Sequence, residues 1–244
     1  MVVPTPFRVR RPVDVLRYPR YANMQSVINP NFVFLGAAFS LFGGLSYARD
    51  TIRGVTRPNR VSWLLWTIAP LLAFGAEVHQ GVGLQSVMTF MVGFAPLIVL
   101  CSSFFNSTSV WALGPFDYAC GIASVMGILV WILSSNDIIA LVAFMAADCL
   151  AGLPTIYKSW RQPESESVGV YLAALLNAII TLATVKIWST AEVAFPIQIG
   201  LMTGLEVVLI SGRLGPRLRR ERQNFSGGHK IESTPQPGQS PSAH

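Results

Sequence analysis

Apolar residues fill about seven stretches of the chain, and short polar segments separate them. The stretches cover residues 31–48, 63–79, 84–104, 116–134, 137–157, 168–188 and 193–211. A hydrocarbon core of about 30 Å is crossed by about 20 apolar residues in helical form, so each stretch is predicted to be a transmembrane helix. The pattern predicts an all-α polytopic membrane protein with seven transmembrane helices.

The stretches form two groups of three with one spare stretch between them. A shift of 108 residues, the separation of Gly44 and Gly152, also aligns Trp63 with Tyr171 and keeps the hydropathy in register through the third helix. Because the spare helix is single, both triplets enter the membrane in the same orientation, which makes a parallel repeat. The predicted plan is therefore two three-helix repeats joined by a linker helix (3+1+3).

This plan divides the chain into five segments. The predicted boundaries are a basic leader that is on the surface or disordered (1–30), the first repeat (31–104), the linker helix (105–136), the second repeat (137–211) and a basic, then low-complexity tail (212–244).

Composition and charge support a membrane location. Only 12% of the residues are charged and the mean hydropathy is +0.49, whereas soluble domains carry about 25% charged residues. For seven spans the termini lie on opposite faces, and the face of the C-terminus collects most of the Lys and Arg near the spans. These are Arg49, Arg53, Arg57, Arg60, Lys158, Arg161, Arg213, Arg217, Arg219, Arg220 and Arg222, against Arg11, Arg17, Arg20 and Lys186 on the other face.

The positive-inside rule therefore places the C-terminus in the cytoplasm and the N-terminus outside, in a bacterial-type cytoplasmic membrane. The basic clusters adjoin spans and lack the context of a nucleic-acid-binding motif. We expect them to set topology and contact anionic lipid, with no nucleic acid as partner.

Motifs at the first and second helices of each triplet resemble the PQ-loop/SWEET superfamily. The first triplet reads Gly-Leu-Ser-Tyr at 44–47, then a basic loop and Arg-Pro-Asn-Arg-Val-Ser-Trp at 57–63; the second reads Gly-Leu-Pro-Thr at 152–155 before a short polar loop. Gln-Gly-Val-Gly at 80–83 is similar to the family's Asn-Gly-x-Gly start of the third helix. The Pro-Gln pair itself is replaced in both triplets, so the resemblance implies a divergent member with the 3+1+3 architecture rather than sugar specificity.

Ionisable side chains inside the spans are the first candidates for function, because a charge at the centre of a membrane helix costs about 2.5–3.5 kcal/mol on insertion scales. Asp148 lies in the fifth span, on a face of small residues that permits close approach. It is predicted to bind solute or couple protons; the alternative is an acid held by a hydrogen bond to nearby backbone. Glu206, near the middle of the last span, is the second proton-coupling candidate and needs either a partner on another helix or a bound proton.

Three uncharged residues complete the predicted solute site. Asn177, in the sixth span, offers both donors and acceptors, although it could equally join helices. Trp66 is expected to stack on a ligand, whereas Trp63, next to the loop, is expected to anchor at the membrane interface. The family resemblance adds Gln80, and Pro154 is the expected hinge.

Enzyme and cofactor classes find little support. The chain has three histidines, two of them in the tail, and it lacks a His-Glu-x-x-His motif, so neither a catalytic site nor a metal or cofactor is predicted. Two functions remain open. One is a transporter of a small polar, sugar-like solute that rocks two triplets around a midplane site; the other is a non-transporting receptor or assembly module. A homo-oligomer is possible in either case.

Overall fold

The computed structural model describes residues 27–79, 86–185, 188 and 190–220, and the regular structure in these ranges is helical. Its α-helices are α1 (Val33–Ile52), α2 (Arg60–His79), α3 (Ser86–Ser102), α4 (Pro115–Leu133), α5 (Asp137–Arg161), α6 (Val168–Thr184) and α7 (Thr190–Gly212). Short 3-10 turns, Pro30–Phe32 and Pro163–Ser165, precede α1 and α6, and residues 214–220 are helical. Each predicted apolar stretch coincides with one of these helices to within about one turn at each end.

Four helical segments are long and apolar enough to cross a bilayer. They are Pro30–Ile52, Pro115–Leu133, Ile138–Arg161 and Val193–Gly212, and three shorter apolar helices, Arg60–Ala76, Ser86–Ser102 and Val168–Thr184, accompany them. Large apolar side chains such as Phe42, Ile122 and Leu201 are exposed on the outer faces. Water does not stabilise such a surface, whereas lipid does. The chain is a helical integral membrane protein.

The helices pack in a regular order. Both α1 and α2 pack on α3, and both α5 and α6 pack on α7. Between these two groups α1 packs on α6 and α2 packs on α5, while α4 packs on α5 and α2. A glycine permits one of the close approaches, because a Cβ added at Gly44 would lie 3.1 Å from the Cβ of Ala95 on α3. Small residues at such crossings are typical of membrane helices.

Hydrogen bonds tie together the loops at the basic end of the bundle, where α1, α3, α5 and α7 end. Arg57 N donates to Ser165 O at 2.9 Å, which joins the α1–α2 loop to the α5–α6 loop. Asn59 Nδ2 donates to Asp117 Oδ1 at 2.6 Å, and Asn59 Oδ1 accepts hydrogen bonds from the Val61 and Ser62 amides in the first turn of α2. Arg60 reaches the carbonyl of Ser103 at 2.6 Å. The loops therefore hold the helix ends of both groups in one layer.

Candidate functional site

A cavity of about 100 Å³ lies inside the bundle. Its described lining residues come from α1, α2, α3, α5, α6 and α7, and none of them belongs to α4. The volume holds several water molecules, since one water needs about 10–15 Å³ by the same measure. Most of the wall is apolar, so the few polar side chains in it determine what the cavity accepts.

Most of the predicted site residues meet in this cavity. Trp66, Asp148, Asn177 and Glu206 all line it, although they come from four different helices. Gln80 lies outside the described residues. Pro154 is buried within α5 and is not among the residues that line the cavity.

Asp148 is held by Gln198, a residue that was not among the predicted site residues. The carboxyl is 5% exposed, and its Oδ2 accepts a hydrogen bond from Gln198 Nε2 on α7 at 2.9 Å. The same amide nitrogen donates to the Met145 carbonyl at 3.0 Å. Asp148 is thus bound to a side chain of a neighbouring helix. The alternative hypothesis had expected a hydrogen bond to nearby backbone. Gln198 could have been identified in the sequence as a side-chain amide inside an otherwise apolar span.

Glu206 lies in the cavity wall without a hydrogen-bond partner among the described residues. It is 2% exposed, and neither Oε1 nor Oε2 has a donor. The Ser159 hydroxyl and the Lys158 ammonium, both on α5, lie close enough to stabilise its charge, and Glu166 lies close enough to oppose it. The sequence predicted either a partner on another helix or a protonated carboxyl. Ser159 and Lys158 on α5 are the nearby groups of another helix, although neither forms a hydrogen bond with Glu206 in the described part of the chain. A carboxyl in the cavity wall that accepts no hydrogen bond from the protein can accept one from a molecule in the cavity.

The aromatic wall corrects one expectation. Trp63 is 2% exposed and packs against the Tyr47 ring at a centroid distance of 4.9 Å. It meets the Trp66 ring edge-on at 5.5 Å, and both tryptophans line the cavity. The prediction that Trp63 anchors at the membrane interface is therefore wrong. Its ring faces into the bundle, where it belongs to a buried cluster that also contains Tyr47 of α1 and Tyr171 of α6.

A buried ionic cluster lies beside the cavity on its basic side. Lys158 Nζ and Glu166 Oε1 form an ion pair in which both side chains are fully buried. Glu166 Oε2 accepts hydrogen bonds from Tyr47 Oη at 2.7 Å and from Tyr171 Oη at 3.0 Å, and Lys158 also donates to the Arg57 carbonyl. We call Lys158, Glu166, Tyr47 and Tyr171 the tyrosine–ion-pair cluster. It joins α1, α5 and α6, and Tyr171 belongs to the cavity wall as well.

This cluster was not predicted from the sequence. The sequence places Lys158 near the end of α5 and Glu166 eight positions later, beyond the end of that helix, so their pairing is not evident from the sequence. The 3-10 turn Pro163–Ser165 brings the chain back over the end of α5, and this turn determines the pairing.

Close packing also shapes the cavity. A Cβ added at Gly152 would overlap the methyl group of Met202 and lie 3.1 Å from Trp66 Cζ2. Gly152 therefore lets two wall residues approach α5 near Asp148. This agrees with the prediction that the Asp148 face of the helix consists of small residues.

The site combines two buried carboxyls, an amide and three aromatic rings around a small space. Such a set can bind a polar solute, and its carboxyls can take up or release protons. No protein-family model, no curated protein sequence and no solved structure matches the chain.

Proposed function

We propose that the protein is a membrane transporter of a small polar solute that works by alternating access between two triple-helix bundles. One observation carries the proposal: the described cavity residues come from all three helices of both predicted triplets and from none of the linker helix. A site shared between two bundles changes its access when the bundles rock, because each bundle supplies one side of the wall.

The helix contacts favour a 3+1+3 plan for this transporter. When α1, α2 and α3 are paired with α5, α6 and α7, the contacts α1–α3 and α2–α3 correspond to α5–α7 and α6–α7. The contact α1–α6 corresponds to α5–α2 under the same exchange. Chance alignment of apolar sequences does not produce such a correspondence between helix contacts. The correspondence therefore supports two parallel repeats. Together with the motifs at 44–47 and 152–155, it supports a divergent PQ-loop/SWEET-like member.

Within this mechanism the wall residues receive definite roles. Trp66 and Asn177 bind the solute with Asp148, and Gln80 belongs to the same predicted set. Asp148 and Glu206 are the candidates for proton coupling, since both carboxyls are buried beside the cavity. Pro154 interrupts the hydrogen bonding of α5 about two turns beyond Asp148 and is the proposed hinge.

The tyrosine–ion-pair cluster is the proposed closure on the basic side of the cavity. Its groups are buried, and Tyr171 is both a wall residue and a donor to Glu166. Opening on this side requires α1 to separate from the α5–α6 loop, which breaks the Tyr47–Glu166 bond. We further propose that the basic side faces the cytoplasm and anionic lipid headgroups.

Reconstitution into liposomes tests the transport proposal. The assay measures uptake of labelled hexoses, pentoses, amino acids and small osmolytes, with and without an inward proton gradient. We expect saturable uptake that falls strongly in Asp148→Asn and is unchanged in Glu164→Gln, which removes an exposed carboxyl outside the cavity. Dependence on the gradient, lost in the Asp148 variant, assigns proton coupling to this residue.

Absence of uptake for the whole panel by folded protein would refute the transport proposal. The scaffold would then be better described as a receptor or assembly module. Circular dichroism and a symmetric size-exclusion peak establish the folded state in either case.

A further inference from the structure

The buried interior of the described chain holds more acids than bases. Asp148, Glu166 and Glu206 are buried in or beside the cavity, and Lys158 is the one buried cation among the described residues. Lys158 forms its ion pair with Glu166. No ion pair therefore neutralises Asp148 or Glu206 within the described residues, and in a low-dielectric site this deficit favours a positive charge from outside.

We propose that the cavity binds a small organic cation with N–H donors, an amine or a guanidinium compound. Glu206 and Asp148 supply the carboxylate acceptors, and Trp63, Trp66 and Tyr171 supply the aromatic wall. The proposal rests on the transport function above, since it names the class of solute that the same cavity takes.

The need for N–H donors follows from Glu206. Neither of its carboxylate oxygens accepts a hydrogen bond among the described residues, although the side chain lines the cavity and is almost completely buried. The nearby Ser159 hydroxyl has one hydrogen to donate, which leaves most of the acceptor capacity of the carboxylate open. A solute with charged N–H groups provides both the donors and the charge, and hydrogen bonds of this kind are about twice as strong as neutral ones. Asp148 already accepts one bond from Gln198, so Glu206 is the stronger of the two acceptors.

The aromatic wall selects an organic cation over a metal ion. Trp63 and Trp66 meet edge-on at 5.5 Å, and both line the cavity with Tyr171. Ring faces attract ammonium and guanidinium groups, whereas Mg²⁺ and Ca²⁺ require about six to eight oxygen ligands. Within the described ranges no group of three His, Cys, Asp or Glu residues could hold a metal ion.

A neutral sugar fits these walls less well. Its hydroxyls can donate to Glu206, and its ring can stack on Trp66, but it leaves both carboxyls without a counter-charge. Discrimination between charged and neutral solutes of one shape is therefore the property to measure.

Binding to the purified full-length protein tests the proposal without requiring transport. Isothermal titration in detergent at pH 7 compares agmatine and arginine with citrulline, the neutral analogue of arginine, and with glucose. We expect the two cations to bind and citrulline to bind at least about tenfold more weakly. Glu206→Gln should weaken cation binding by about tenfold to a hundredfold, while Glu164→Gln, at an exposed loop position, leaves it unchanged.

Asp148→Asn provides a second isosteric variant in case Glu206→Gln does not fold. Equal or tighter binding of citrulline or glucose overturns the proposal, as does cation binding that neither cavity variant weakens. No binding of any cation by folded protein also overturns it, because the carboxyls would then hold their own protons.

Proteoliposome uptake of the same compounds separates this proposal from the transport proposal. Cation binding without uptake supports the solute class and refutes transport. Uptake of glucose with no binding of cations supports transport and refutes the solute class.

Discussion

Removing one partner of the buried ion pair between Lys158 and Glu166 should destabilise the fold far more than removing a surface pair. In Glu166→Gln the Lys158 ammonium remains fully buried, and among the described residues it retains the Arg57 carbonyl as its hydrogen-bond acceptor. Breaking a buried ion pair in this way costs about 3–5 kcal/mol. Glutamine keeps one oxygen that can accept from Tyr47, and loss of the negative charge relieves its repulsion of Glu206. We therefore expect a loss near the lower limit, about 3 kcal/mol.

Reversible unfolding in mixed micelles with increasing SDS, followed by circular dichroism, measures this change in the free energy of unfolding. The double variant Lys158→Met with Glu166→Gln removes both charges, so it should be less destabilised than the sum of the two single variants. Asp50→Asn is the matched control. It removes the carboxylate from a pair whose arginine side chain is 61% exposed, and such pairs contribute about 0–1 kcal/mol.

Two results would refute this reasoning. One is a loss in Glu166→Gln no larger than in Asp50→Asn, which would mean that the Lys158 ammonium is not buried against Glu166. The other is additivity of the two single variants in the double variant, since residues that interact directly show coupling of about 0.5–3 kcal/mol.

Two further substitutions test the packing around the cavity and the loop layer. Gly152→Ala should weaken solute binding several-fold and lower the free energy of unfolding by about 1–3 kcal/mol, because the new methyl group displaces Met202 and lies 3.1 Å from Trp66 Cζ2. Calorimetric titration measures the first effect and SDS unfolding the second. An unchanged solute affinity would contradict the assignment of these residues to the cavity wall. Asn59→Ala should lower the free energy of unfolding by about 1–3 kcal/mol, because it removes the α2 cap and the 2.6 Å hydrogen bond to Asp117. Stability equal to wild type in the same SDS titration would contradict the conclusion that these loops hold the helix ends together.

The positions of the helices could be predicted from the sequence because the length of an apolar stretch reports directly on bilayer thickness. The meeting of Trp66, Asp148 and Asn177 in one cavity was also within reach. Polar groups in apolar spans lower their cost by turning away from lipid, so such side chains on neighbouring helices tend to meet inside the bundle. Pro154 did not end the fifth helix early, and α5 continues to Arg161, because neighbouring helices can satisfy the freed carbonyl.

The partners of these side chains could not be predicted in the same way. Trp63 and Gln198 lie on helices whose apolar residues surround the whole circumference, so hydropathy does not indicate which face is inside. The pairing of Lys158 with Glu166 depends on how one short turn folds back over a helix end. Such contacts depend on helix rotation and loop geometry, and a single sequence carries little information about either.

Because α4 does not line the cavity, a spectroscopic label can be attached to this helix without disturbing the cavity wall. This helix is fixed to α5 by the bond from Ser124 Oγ to the Ala147 carbonyl at 2.7 Å, and its outer face includes Ile122, which is 67% exposed. A cysteine introduced at 122, with the exposed Cys101 replaced, would carry a spectroscopic label that travels with α5. Distances from that label to a second one on α1 would show whether the two bundles rock as proposed.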